Sequence, residues 1–392
     1  MKMNSIRAIR AAGALALAAG LVWTSPAIAQ TEVLKLGVVS ALTGPGSEWG
    51  LAQDGALKIA AAEANAKGGL KVGNKTYKIE VISYDDQYKA ALSVSGATRL
   101  IEQDKVKFVF GPMGSAALLA VKPLYEKNKT LAVIGAYTEK ALDKDTKYSY
   151  RGFPTQTEFA GPIAKWVKNH RPNLKTVAQL EPNDETGWAS QRLLKADYET
   201  AGFQIVSSEL VERSVKDFQP VLTRVLALKP DIIELGTTPP GTSGLIVRQA
   251  REMGFKGQFV KLGGPGVPQI VAAAGKEFAE GLICYAAADT TTKAYKDLEA
   301  KYAQVLKPPM NEFTVYFYDM ARMLLEAIQR AGTVDDTDKV RAEFEKLSPF
   351  SGIQGAVRWG GMDSYGSNHQ IITPVFVGMI KNGEQVIAGK ID

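Results

Sequence analysis

Short runs rich in β-branched and aromatic residues alternate along the chain with stretches whose apolar residues recur every three or four positions. The runs at 36–40, 79–83, 108–110, 131–134, 148–153, 176–180, 204–208, 232–235, 259–262 and 281–286 predict strands. Segments 51–66, 90–103, 159–169 and 190–200 between them predict amphipathic helices. Regular alternation of this kind means parallel strands with helices on both faces, and right-handed crossovers make the sheet doubly wound. There are more strands than one such sheet usually holds, so two α/β domains are predicted. The first break falls near 148–154, where a strand meets Gly152 and Pro154. Long helical segments return at 293–306 and 313–331, and the end of the chain differs again: 371–379 and 385–388 flank Asn382-Gly383, a two-residue hairpin signal. No repeat of domain-building length and no low-complexity tract interrupts the pattern.

The first residues follow another logic. Lys2, Arg7 and Arg10 precede an apolar run at 11–22, and then come Ser25, Pro26 and the small-x-small triplet Ala27-Ile28-Ala29. This is the pattern of a secretory signal peptide over 1–29, with cleavage before Gln30. The run is too short for a membrane helix, which needs ~20 apolar residues. No cysteine follows the cleavage site to carry a lipid, so the mature chain is expected to be exported to the periplasm in soluble form.

The 392 residues are 45% hydrophobic and 22% charged, which suits a folded chain too long for one core. The net charge is +6, and three of the positive charges lie in the leader, so no nucleic-acid partner is expected. A single cysteine, Cys284, excludes an intramolecular disulfide, a thiolate zinc cage and an iron–sulfur cluster. With only His170 and His369, neither a metal site nor a cofactor is expected.

Several motifs come near a match and fail. Gly44-Pro45-Gly46 through Gly50 follows a strand and opens a helix, but its third glycine is late and no acid stands ~20 residues on, as a dinucleotide site requires. Gly68 to Thr76 resembles a phosphate loop in the wrong context, after a helix and before a strand, and reads better as a hairpin-like turn. G-x-S-x-G is absent. His170 reads as a solvated helix end, His369 has no evident partner, and Asp85-Asp86 reads as a solvated turn. Nothing assembles a nucleophile, a base and an orienting group, so the chain is expected to bind rather than catalyse.

Two strand ends share one chemistry. The strand at 108–110 runs into Gly111–Ser115 before a helix, and the strand at 131–134 runs into Gly135-Ala136-Tyr137-Thr138 before a short helical start. Ligands of open α/β sheets bind beyond the carboxyl ends of strands. Hydroxyls beside free backbone N–H groups at helix starts suit a carboxylate. Trp49, where the first helix opens, offers an apolar wall. Equally, Ser115 and Thr138 read as plain N-caps and Trp49 as a core residue.

The chain resembles the leucine/isoleucine/valine-binding family of ABC-importer substrate-binding proteins. The likeness is carried by Lys35-Leu36-Gly37-Val38-Val39 leading to Thr43-Gly44-Pro45, by Ala64-Asn65-Ala66-Lys67-Gly68-Gly69, and by Tyr84-Asp85-Asp86. The Gly111–Ser115 turn, Gly135 to Thr138, and Arg248-Gln249-Ala250-Arg251 continue it. It implies two α/β lobes joined by three crossover strands, the type I periplasmic binding protein fold, with a ligand cleft between them. The lobes implied are 30–150 plus 287–350 and 151–286 plus 351–392. Ser115 and Thr138 match positions that bind a ligand carboxylate. Ala136 matches a carbonyl that meets the ligand's ammonium, Trp49 matches an aromatic at the cleft mouth, and Tyr137 adds aromatic surface.

The resemblance has departures. Thr186 stands where the family has a tyrosine. The loop after 262 is Gly263-Gly264-Pro265-Gly266, where leucine-type members place the acid that pairs with the ammonium. Asp184 or Glu185 is left as a substitute. Tyr88 and Gly114 match a disulfide pair of some members, and Cys284 reads as a small buried residue. The expectation is a monomeric solute-binding protein that clamps a small carboxylate, an amino acid or an aromatic or other organic acid, and delivers it to an inner-membrane permease and ATPase. A sensory binding protein presenting its closed state to a receptor is the alternative, and an exported enzyme is a third.

Overall fold

The computed structural model describes residues 32–391; residues 1–29, read in the sequence as a signal peptide, lie outside the described residues. The chain first lays down β1 (Glu32–Ser40), β2 (Leu70–Val72), β3 (Lys75–Asp85), β4 (Phe108–Met113), β5 (Leu131–Gly135) and β6 (Ser149–Arg151). It then builds β7 (Thr176–Pro182), β8 (Gln204–Val211), β9 (Ile232–Glu234), β10 (Gln258–Lys261) and β11 (Ile283–Ala286) in a second sheet. After three helices it returns to the first sheet with β12 (Phe350–Gly352), β13 (Gly355–Gly360) and β14 (Gln370–Ile372), and it finishes in the second with β15 (Val375–Lys381) and β16 (Glu384–Ile391). The orders are β12-β13-β14-β6-β5-β4-β1-β3-β2 and β16-β15-β11-β10-β9-β7-β8. Both sheets are parallel at their centres; the first has antiparallel pairs at both edges, and the second only at its β16 edge, since β8 pairs in parallel with β7. The two-lobed α/β architecture expected from the alternation is present, and the chain crosses between the sheets after β6, β11 and β14.

The hydrophobic run at 371–379, read as one strand, is two strands in different sheets. Pro374 ends the first, having no N–H for the ladder, and the chain crosses there. As a result the strands at 350–372, placed with the second lobe in the sequence, pair into the first sheet beside β6. The Asn382-Gly383 hairpin forms as expected: Lys381 pairs with Glu384, and both turn residues have positive φ, 55° and 80°. Gly73-Asn74 also turns a hairpin, between β2 and β3.

The largest core runs from one face of the first sheet, through the crossovers, to one face of the second. Helix Phe313–Ala331, whose first turns are buried almost all round, packs on helix Ser47–Ala66 and supplies much of it. At its start Phe313 stacks on Phe153, centroids 4.6 Å apart, and Tyr316 and Tyr285 share a hydroxyl contact of 2.9 Å. Cys284 is buried in β11, as expected. His369 is not partnerless: it stacks on Tyr150 at 4.0 Å and lies 3.6 Å from Glu345. Among the described residues no helix is long and apolar enough to cross a membrane, and no cluster of acids, histidines and cysteine could hold a metal ion.

Candidate functional site

The carboxyl ends of β4 and β5 lie side by side, because these strands pair in parallel register. β4 ends at Met113, and Gly114, with a φ of 108°, turns the chain into helix Ser115–Asn128. β5 ends at Gly135, and Ala136, Tyr137 and Thr138 lead into the helical turn Glu139–Ala141. The hydroxyl of Ser115 accepts the backbone N–H of Thr138 at 3.1 Å, so one side chain ties the two loops together. Gly114, not Ser115, holds the cap position, and neither Ser115 nor Thr138 caps its helix with a side-chain bond. Both residues are buried, at 0% and 2% exposure. Arg151, wholly buried at the end of β6, donates through Nη2 to the Thr138 carbonyl at 2.8 Å and fixes this loop from below.

The second lobe meets these loops directly. β7 ends at Pro182, and Asp184 caps helix Glu185–Thr200 by accepting the N–H groups of Thr186 at 3.0 Å and Gly187 at 3.1 Å. This presents the Thr186 hydroxyl to the backbone N–H of Ser115, which donates to it at 3.1 Å. Tyr88 enters from the first lobe, its hydroxyl 3.3 Å from the Thr186 hydroxyl. Its ring occupies the space that a side chain on Gly114 would need; a Cβ there would come within 2.7 Å of the ring. Glu185, largely covered, pairs with the exposed Lys140 across the rim at 3.0 Å.

Trp49 crosses the cleft. Its Nε1 donates to the Pro265 carbonyl at 3.1 Å, and its indole lies on Gly264. Asn311 donates to the same carbonyl at 2.8 Å. The glycine loop 263–266 is therefore a seat for an aromatic ring.

Beneath that loop is a buried floor of titratable side chains. Glu181 accepts the Ser190 hydroxyl and the N–H and hydroxyl of Thr237, and Glu234 accepts the N–H groups of Gly236 and Leu262 and the Tyr198 hydroxyl. Lys261 donates to the carbonyls of Gly236 and Thr238 at 2.9 and 2.8 Å. Burial pushes both glutamic acids up to about 7 and Lys261 down to about 8. Gln156 joins this floor, donating to Ser190 and to the Leu262 carbonyl, both at 2.7 Å.

Ser115, Thr138 and Thr186 thus come together, with Ala136 buried behind them and Tyr137 beside them, its ring 5.3 Å from Phe153 and its hydroxyl buried without a partner. A cavity of about 310 Å³ opens next to Tyr137, Thr138 and Gln156, with Arg192 and Asp197 on its far wall. Tyr88, read in the sequence only as a match to a disulfide position, and Arg213, which pairs with Asp184 and touches the Tyr88 hydroxyl, were not read there as site residues. The signal that could have found them is position, since both follow carboxyl ends of strands, β3 and β8. Asp85-Asp86 is not the solvated turn expected: Asp86 is buried and accepts the Tyr88 N–H and the Ser93 hydroxyl, both at 2.8 Å.

The chain is similar to the Leu/Ile/Val-binding protein of Escherichia coli K12, with 25% identity over 85% of this chain and 88% of the relative. Among solved structures it is similar to a leucine-binding protein from Thermotoga maritima, with TM-score 0.79 and 23% identity over 92% of this chain and 99% of the other. It is also similar to an ABC-transporter solute-binding protein from Rhodopseudomonas palustris BisB5 in complex with 3,4-dihydroxybenzoic acid, with TM-score 0.78 and 23% identity over 92% and 97%. The sequence model of the periplasmic binding protein family matches residues 33–385, and with two open α/β sheets facing each other across these loops the chain belongs to that family.

Proposed function

We propose that this protein is the solute-binding component of an ABC import system and clamps a small carboxylate between its lobes, in the periplasm, after loss of residues 1–29. The observation that carries this reading is the state of two buried N–H groups at adjacent strand ends. Those of Ser115 and Thr138 are satisfied only by hydroxyl oxygens, from Thr186 and Ser115. A carboxylate oxygen is a stronger acceptor than a hydroxyl and takes the place of Thr186 at the start of the helix, where the dipole favours a negative charge. Thr186 comes from the opposite lobe, so a ligand at this point touches both lobes and biases them towards closure. The E. coli relative's name and the R. palustris neighbour's ligand frame the chemistry as amino acid or aromatic acid.

Thermal-shift screening of the purified mature protein against amino acids and organic acids tests the reading. Calorimetric titration of Ser115→Ala and Thr138→Ala then tests the site. Bonds to a charged group are worth about 1.5–3 kcal/mol, so each substitution should weaken binding roughly ten- to a hundredfold while the fold survives. Unchanged affinity with a lowered melting point in both would make these residues structural.

A further inference from the structure

Arg213 follows β8 and reaches into the space between the lobes. Its Nε donates to Asp184 Oδ2 at 2.5 Å, and its Nη2 lies 3.3 Å from both Asp184 Oδ1 and the Tyr88 hydroxyl. The guanidinium carbon sits 4.2 Å over the Tyr88 ring. The third nitrogen, Nη1, is buried and has no hydrogen-bond partner. A buried guanidinium N–H without an acceptor is costly, so its persistence in a cleft marks a donor waiting for a ligand.

The acids closest to the Ser115–Thr186 contact offer no such vacancy. Asp184 is committed to Arg213 and to two backbone N–H groups. Glu185 faces Lys140 at the rim, and Glu48 accepts the Gly241 N–H at 3.3 Å. Glu181 and Glu234 lie under the floor loops, wholly buried and fully engaged with their donors. Asp197, on the far wall of the cavity, is the exception, but it stands about three turns along helix Glu185–Thr200 from Thr186. A ligand ammonium held beside Ser115 and Thr186 would find no free carboxylate there, and a buried charge without its counter-charge is strongly unfavourable.

On the reading of this cleft as a carboxylate clamp, we infer that its ligand is an organic acid lacking an amine and that Arg213 recognises the ligand's charge. The link to the clamp is continuous: Arg213 holds the Tyr88 hydroxyl, which faces the Thr186 hydroxyl, which accepts the Ser115 N–H. An anion that displaces Thr186 from Ser115 enters next to the Tyr88 hydroxyl, which the same guanidinium contacts through Nη2.

Matched pairs test this. The mature protein is titrated calorimetrically with 4-methylpentanoate against L-leucine, and with 3-phenylpropanoate and 3-(4-hydroxyphenyl)propanoate against L-phenylalanine and L-tyrosine; the members of each pair differ by the amine alone. The acids should bind at least tenfold more tightly than their amino partners, and Arg213→Gln should weaken acid binding about 10- to 100-fold. Because Arg213→Gln leaves Asp184 unpaired, the double variant Arg213→Gln/Asp184→Asn is measured too. It should recover the melting temperature and not the affinity. Tighter binding of the amino member of a pair, or a double variant with wild-type acid affinity, overturns the inference and leaves the clamp standing. Binding of none of these compounds overturns the inference and the clamp together.

Discussion

Gly264 has no room for even a methyl group, because a Cβ there would stand 2.5 Å from the Trp49 indole. Gly264→Ala therefore pushes the indole off the Pro265 carbonyl and props the cleft. Overpacking of this size costs about 1–3 kcal/mol, so ligand affinity should fall five- to a hundredfold. Small-angle scattering with saturating ligand should then show less compaction than in the wild type, and full compaction with unchanged affinity would count against the contact as a closure device. Trp49 itself was legible as an aromatic at a helix opening. Its partner was not, since nothing near position 49 says that a glycine loop more than two hundred residues later comes to meet it. The same holds for Thr186, which stands where a tyrosine was expected. The short side chain reaches Ser115 only because Asp184 caps the helix and turns position 186 inward.

Each lobe uses one device to bring a helix start against the end of the preceding strand. In helix Ser47–Ala66 a Cβ on Gly50 would collide with the Ala41 carbonyl, and in helix Glu185–Thr200 a Cβ on Gly187 would collide with the Pro182 carbonyl. Trp49 and Thr186 owe their positions to these close approaches. Gly187→Ala should destabilise the fold by about 1–3 kcal/mol despite alanine's better helix propensity, read as a lower urea midpoint at unchanged slope. A raised midpoint would show that the helix start shifts freely. At this scale most of the fold was legible: the parallel strands, the long helices and the Asn382-Gly383 hairpin all follow from local pattern. The split of 371–379 was not, because a continuous apolar run carries no mark of which sheet each half joins; only Pro374 hints at it. Arg213 and Tyr88 lay in coil, and their meeting depends on how two sheets face each other, which periodicity does not encode.

Over the whole molecule, burial leaves a pH signature. Glu181, Glu234, Glu312 and Asp319 are each pushed up to about 7 by burial, from ordinary values of 4.5 for the glutamic acids and 3.8 for the aspartic acid. Between roughly pH 4.5 and 7 the folded chain keeps protons that the unfolded chain has released, so stability falls as pH rises through that window. Glu345 works in the opposite sense at lower pH. Burial raises its carboxyl, but His369, Tyr150 and Arg341 outweigh that and hold it at about 2, so its stabilisation is present above 4.5 and lost towards 2. Lys261, lowered to about 8 by burial, adds stability only as pH rises from there to about 10.5. Melting temperature should therefore peak near pH 5 and decline towards pH 7–8; a rise across that interval would show that the buried acids are ionised. The buried Cys284 has a practical consequence. Its thiol is sealed in β11 at 2% exposure, and burial pushes its pKa up, so it should ignore maleimide dyes. One surface cysteine in place of Lys140, on the rim that faces Glu185, would then be the sole labelling site, and a polarity-sensitive fluorophore there would turn lobe closure into an optical signal for the captured solute.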